Sequence, residues 1–182
     1  MKIENFTQEI EIPKGVTATM HENGVFTFKG PKGEFSRNLS SRKISYKIEN
    51  GKVILNIPKA CKTEKTLMNT MVAHLKNCFK GVQHGFVYKL AICAGHFPMT
   101  VSYANGEVVI KNFIGESVPR KTTVPKEVDV KIEGKDITVS GIDIEKVGIA
   151  ASKIEKLGSR TGFDRRRFQD GIYITEKDGV KM

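Results

Sequence analysis

The sequence predicts an α+β protein built as two tandem copies of one unit, each an antiparallel sheet covered by a single helix. Three observations predict this internal duplication. Turn-and-strand patterns recur at an offset of about 82 residues. Each recurrence ends in one stretch with helical apolar spacing. Asn-Gly pairs open the hairpins, because both residues tolerate the positive φ of a type I′ turn. The first copy is assigned to residues 1–84 and the second to residues 85–182.

In the first copy Asn23-Gly24 precedes Val25-Phe26-Thr27-Phe28-Lys29 and then Gly33-Glu34; in the second Asn105-Gly106 precedes Glu107-Val108-Val109-Ile110-Lys111 and then Gly115-Glu116. Val, Ile, Thr and Phe are the residues that suit a pleated, half-buried surface. A second echo sets Asn50-Gly51-Lys52-Val53-Ile54-Leu55 against Glu133-Gly134-Lys135-Asp136-Ile137-Thr138-Val139. Thr63 is placed to cap a first helix running to about Phe79, with Leu67, Met71, Leu75, Cys78 and Phe79 on one side and Gly81 as its stop. Asp143 is placed to cap a second helix through Leu157. There Ile144, Val147, Ala151 and Ile154 share a face, Lys146, Lys153 and Lys156 point away, and Gly158 ends it. Between the copies, residues 82–91 are expected to return and complete the first sheet.

Hydrophobic residues make up 39% of the chain and charged residues 27%, so the composition is that of a globular protein and not of a disordered one. The net charge of +10 predicts attraction to a polyanion. A membrane is the poorest such partner: no apolar run approaches the roughly 18 residues of a span, and the first residues carry no signal-peptide core. Cys61, Cys78 and Cys93 form no CxxC pair, which predicts free thiols in a reducing, cytoplasmic setting.

Candidate chemistry is sparse. Cys93 and His96 have a metal-ligand gap but no second pair accompanies them, so no metal site is expected. His74 and Cys78, four apart on the first helix, could pair as nucleophile and base, yet a third group is missing and a core cysteine is the plainer reading. Gly30-Pro31-Lys32-Gly33-Glu34 lacks the spacing of a phosphate loop and reads as a turn exposing Lys32. Asp164 and Asp170 flank the arginines of the last loop, and bracing them suits these carboxylates better than acid–base work. No cofactor fingerprint is present. The expectation is a protein without catalytic residues, metal or cofactor.

What remains is charge on turns and segment ends. Gly158-Ser159-Arg160-Thr161-Gly162-Phe163-Asp164-Arg165-Arg166-Arg167-Phe168 starts where the second helical pattern stops, and Asp170-Gly171-Ile172-Tyr173 leads into a strand. Arginine grips phosphate in two-pronged fashion and stacks on flat rings, so a loop of this kind on a rigid scaffold suits folded RNA. Phe168 and Tyr173 are expected to anchor the loop. The candidate RNA-binding residues are Lys32, Lys111, Gly115, Glu116, Arg120, Lys121, Arg160, Gly162, Phe163, Arg165, Arg166, Arg167 and Lys177. An acidic protein or another structured RNA is the alternative partner for such a basic module.

Several motifs also resemble, in order and essentially end to end, the large-subunit ribosomal protein family called L-six in bacteria and archaea and L-nine in eukaryotes, with archaeal or eukaryotic spacing. They are Lys29-Gly30-Pro31-Lys32-Gly33-Glu34, His96-Phe97-Pro98, Asn112-Phe113-Ile114-Gly115-Glu116, and Gly162-Phe163-Asp164-Arg165-Arg166 continuing to Asp170-Gly171-Ile172-Tyr173. The resemblance implies a structural, rRNA-binding protein of the large ribosomal subunit. It further implies a second unit packed near the sarcin–ricin loop, neighbouring ribosomal proteins as partners, and translational GTPases docking nearby. One departure is Ser117-Val118-Pro119, which separates Gly115-Glu116 from Arg120-Lys121 where the family usually continues with a lysine and a basic pair.

Overall fold

A computed structural model describes residues 3–21, 24–49, 51–164 and 166–182. The chain divides into two compact units, Met1–Gly85 and Phe86–Met182. The first runs β1 (Ile3–Glu11), β2 (Thr17–Met20), β3 (Val25–Gly30), β4 (Gly33–Asn38), β5 (Ser45–Glu49), β6 (Lys52–Ala60) and α1 (Lys62–Gln83). The second runs β7 (Phe86–Cys93), β8 (Thr100–Ala104), β9 (Glu107–Lys111), β10 (Arg120–Thr123), β11 (Val128–Glu133), β12 (Asp136–Gly141), α2 (Ile144–Leu157), β13 (Gly171–Lys177) and β14 (Val180–Lys181).

The duplication is visible in the strand order. In the first unit the sheets are β1-β6-β5 and β2-β3-β4; in the second, β7-β12-β11 and β8-β9-β10 repeat that order strand for strand. All neighbours are antiparallel. The second unit adds β13 to the other side of β7, with β14 beyond it. The expected return of residues 82–91 to the first sheet is therefore corrected: β7 is the central strand of the second unit, paired with β12 and β13. Its partners lie far along the chain (Phe86 faces Gly141 and Cys93 faces Gly171), so no local pattern announces them.

Local chemistry accounts for most boundaries. Asn105 and Gly106 have φ of 53° and 80°, the doubly left-handed turn that joins β8 to β9 without splaying them. Asn23 and Asn50 lie outside the described residues. β9 alternates exposed and buried positions, sending Val108 and Ile110 into the core. Asp143 caps α2, its side chain accepting the Glu145 N–H. Val147, Ala150, Ala151 and Ile154 are the buried face, packed with Leu90, Ile137, Val139 and Ile172 of the sheet.

α1 departs from expectation at both ends. Its cap is Cys61, not Thr63, because Glu64 reaches back to accept the Cys61 N–H and so closes a capping box two residues earlier. It also passes through Gly81, which is buried, and stops at Gln83. Gly85, at φ 74°, donates back to the Gly81 carbonyl and turns the chain away. Met68 joins Leu75, Cys78, Phe79 and Val82 on the buried face, while Leu67 and Met71 are half-buried. Phe79 meets Phe28 edge-on with ring centroids 5.4 Å apart.

Candidate nucleic-acid interface

The basic loop of residues 158–170 connects α2 to β13, and two polar clamps fix it. The first is Asp170, whose side chain is only 4% exposed. Its Oδ1 accepts the N–H groups of Gly95, at 2.5 Å, and of His96, at 3.0 Å, while Oδ2 meets His96 Nδ1. Burial pushes this carboxyl up, but the donors of His96 and Gly95 and the His96 charge outweigh it and hold the group below its ordinary value. Asp170 was expected to brace the arginines; it instead ties the loop's end to the β7–β8 connection. The His96 ring then lies 4.9 Å from Phe168, and Phe168 meets Phe163 edge-on at 5.1 Å.

Arg120 is the second clamp. Its Nε and Nη2 grip both oxygens of Glu116, each at 2.7 Å, and its Nη1 donates to the carbonyls of Leu157, at 2.9 Å, and Ser159, at 2.8 Å. The guanidinium also lies 4.3 Å over the Phe113 ring. The last carbonyls of a helix lack intrahelical partners, and a cation is favoured there. Arg120 thus spends four of its five N–H donors on the protein itself. Hydrogen bonds from Arg120, and the charges of Arg120 and Arg160, hold the Glu116 carboxyl below its ordinary value against the opposing effect of burial. Arg160 sits 3.7 Å from the same carboxylate and 4.5 Å over the Phe163 ring.

The turn that presents Glu116 is strained. Asn112, Ile114 and Gly115 have φ of 58°, 48° and 74°. For β-branched Ile114 this is a true outlier, costing about 1–2 kcal/mol, and such strain concentrates at functional turns. Packing offsets it: Phe113 is 1% exposed, Ile114 is packed against the core, and Asn112 Nδ2 donates to the Pro98 carbonyl at 3.0 Å.

At the loop tip the arrangement is open. Asp164 forms one short turn, its Oδ1 accepting the Arg166 N–H and its carbonyl accepting those of Arg167 and Phe168. The Arg166 guanidinium pairs with Asp164 at 3.1 and 3.2 Å, yet its side chain is 92% exposed. That pairing draws the Asp164 carboxyl below its ordinary value, but an ion pair so exposed is weak and open to competition from a phosphate. Arg167 is exposed as well, and Arg165 lies outside the described residues.

The expected site residues are thus only partly gathered. Gly115, Glu116, Arg120, Arg160 and Phe163 form one cluster, with Gly162, Arg166 and Arg167 further along the loop that carries Arg160 and Phe163. Lys111 is exposed at the end of β9, and Lys121 is exposed on β10 opposite Val109. Lys177 ends β13, about 20 Å along the strand from the loop. Lys32 is exposed in the first unit, in the turn between β3 and β4. His96 was absent from the expected binding residues; its signals were its spacing from Cys93 and its place in the His96-Phe97-Pro98 motif, and neither pointed to Asp170. Among the described residues no group of three ligating side chains is placed to hold a metal, and no helix is long and apolar enough to cross a membrane. Cys78 is buried, whereas Cys61 and Cys93 are exposed, and none of the three is in a disulfide.

The family model described as ribosomal protein L6 matches residues 12–85 and again 97–171, one match in each unit. Among curated proteins, the large ribosomal subunit protein uL6 of Natronomonas pharaonis is 42% identical over 168 residues, which is 92% of this chain and 94% of that one. The uL6 proteins of Methanosarcina mazei and Sulfurisphaera tokodaii are each 40% identical, over 96% and 99% of this chain and 99% and 97% of theirs.

Proposed function

The chain belongs to the ribosomal protein L6 family, whose members are structural proteins of the ribosome, and on that premise we propose that its second unit binds large-subunit rRNA through the loop of residues 158–170 and the turn of residues 112–116. The observation that carries this is the contrast between the two ends of one loop. Its base is pinned by Asp170 and Arg120 through buried or half-buried polar contacts, while Arg166 and Arg167 stand in solvent at its tip. A preorganised cationic tip loses little entropy on meeting a phosphate backbone. The finer reading, from the motif resemblance, is that this RNA is the region of the sarcin–ricin loop, beside the docking place of translational GTPases. The protein is a positioning element there and not a catalyst.

Replacement of Arg165, Arg166 and Arg167 together by alanine is expected to leave the fold intact and to lower the salt concentration at which the protein leaves the large subunit. Hydroxyl-radical footprinting of the assembled particle checks the location. Wild-type salt release for the triple variant would overturn the loop's role, and a footprint remote from the sarcin–ricin region would overturn the finer assignment alone.

A further inference from the structure

A cavity of about 200 Å³ lies among the strained turn, the C-terminal turn of α2 and the basic loop. It is smaller than the roughly 300 Å³ at which drug-sized ligand pockets begin, so it suits one planar ring and not a cofactor. Its walls carry three aromatic rings (Phe163, Phe168 and Tyr173) and two cations, Lys156 and Arg160, both on exposed residues. Phe163 is 36% exposed although it is a large apolar side chain. One carboxylate in the lining faces a different demand from Asp170, whose oxygens already serve three donors. This is Glu155, whose Oε1 accepts the Ile174 N–H at 3.2 Å, a contact that fixes its orientation against the pocket.

We propose that this cavity is a base-binding pocket that takes one amino-bearing nucleobase, adenine, cytosine or guanine, extruded from the rRNA. The base stacks on the aromatic lining, its amino group donates to Glu155, and its phosphates lie against Lys156 and Arg160. Each part answers a feature of the lining. RNA bases that are read by proteins are splayed out and stacked on aromatic rings or guanidinium planes. A carboxylate accepts from an exocyclic amino group but repels phosphate, so Glu155 is suited to the base edge and the two cations to the backbone. Uracil has no amino group to offer. The proposal rests on the RNA-binding reading above and adds to it a specific nucleotide contact.

The test uses the full chain bound to intact large-subunit rRNA, probed with hydroxyl radicals for the backbone and with dimethyl sulfate and kethoxal for base edges. Wild type is expected to give a backbone footprint and protection of one base edge. Glu155→Met, which removes the accepting oxygens, and Tyr173→Leu are each expected to lose that base protection and about tenfold in affinity, while keeping the backbone footprint. A backbone footprint with no base-edge protection, or with protection that either folded variant retains, overturns the pocket assignment and leaves the RNA-binding reading standing. A side chain of a neighbouring ribosomal protein as the true occupant would give the first of these results, since naked rRNA lacks it. No backbone footprint at all would instead overturn the RNA-binding reading. Either variant decides the matter, so misfolding of one leaves the other.

Discussion

Asp170→Asn isolates the charge of the clamp that sets the basic loop, because the amide has nearly the volume of the carboxylate. The carboxylate receives three donors, the N–H groups of Gly95 and His96 and the His96 ring. Hydrogen bonds to a charged group contribute about 1.5–3 kcal/mol and neutral ones about 0.5–1.5, so the two backbone contacts to the remaining oxygen weaken by about 1 kcal/mol each. The amide nitrogen, a donor, cannot accept from the His96 ring, which loses about 1 kcal/mol or more besides. The expected loss is at least about 3 kcal/mol in the second unit at neutral pH. The pH dependence has a definite sign. Burial raises the Asp170 carboxyl but the donors lower it further, so its folded value lies below the ordinary one. Its stabilising contribution is then complete above the unfolded value of about 3.9 and is lost as pH falls through the folded value. The gap between wild type and Asp170→Asn should be full at pH 7 and narrow below about pH 4. Urea unfolding reads the size of the effect, and hydrogen exchange at the Gly95 and His96 amides reads its place. Equal urea midpoints at pH 7, with unchanged protection of those two amides, would refute the clamp.

Three further outcomes are expected. Arg120→Lys forfeits the two-pronged grip on Glu116 and should cost about 2–3 kcal/mol of stability while leaving the salt slope of rRNA binding unchanged; Arg166→Ala should do the reverse, changing stability by less than about 0.5 kcal/mol and reducing the slope by about one, as thermal melts and binding across a salt series would show. Gly30→Ala and Gly158→Ala should each destabilise by about 1–3 kcal/mol, because the added Cβ would come within 2.8 Å of the Val82 carbonyl oxygen and the Ile172 nitrogen; urea midpoints check this. Glu64, whose carboxyl is held at about 2 by Lys43, Thr63 and the backbone N–H groups of Glu64 and Cys61, contributes stability that is present above its ordinary value of about 4.3 and lost as pH falls through about 2. Glu64→Gln should therefore melt earlier than wild type at pH 7, with the difference closing across that acid range.

The legible features were those decided within a few residues. Asn105-Gly106 specifies its turn by backbone tolerance alone, and Asp143 its cap by one side chain and one N–H. The α1 boundaries were lost to context: Gly81 is a helix stop in isolation but is buried here, and Glu64 overrides Thr63 by reaching backward. The site was legible as composition and not as architecture. Four arginines in one loop suggest an anion surface, but nothing local separates Arg120, which braces the Leu157 and Ser159 carbonyls 37 and 39 residues away, from Arg166, which faces water. The Asp170–His96 contact spans 74 residues and joins two loops whose meeting is fixed by β7 pairing with β13.

The duplication allows the proposed interface of the second unit to be compared with the same place in the first. In the first unit the β3–β4 turn is only Pro31 and Lys32, and it docks directly on the end of α1: the Lys32 N–H donates to the Val82 carbonyl, and Gly30 permits the close approach. In the second unit the equivalent β9–β10 connection spans residues 112–119. There the long Arg120 side chain makes the joint to the helix end, taking the Leu157 and Ser159 carbonyls. The same joint is kept with different chemistry, and the added length buries Phe113 while raising Glu116 to meet Arg160. Only the second unit then continues past its helix, through the arginine loop into β13. A lengthened turn and a loop that leads to an extra strand, joined through Glu116, Arg120 and Arg160, with Asp170 holding the loop's far end to the β7–β8 connection, convert a structural joint into a rigid cationic surface.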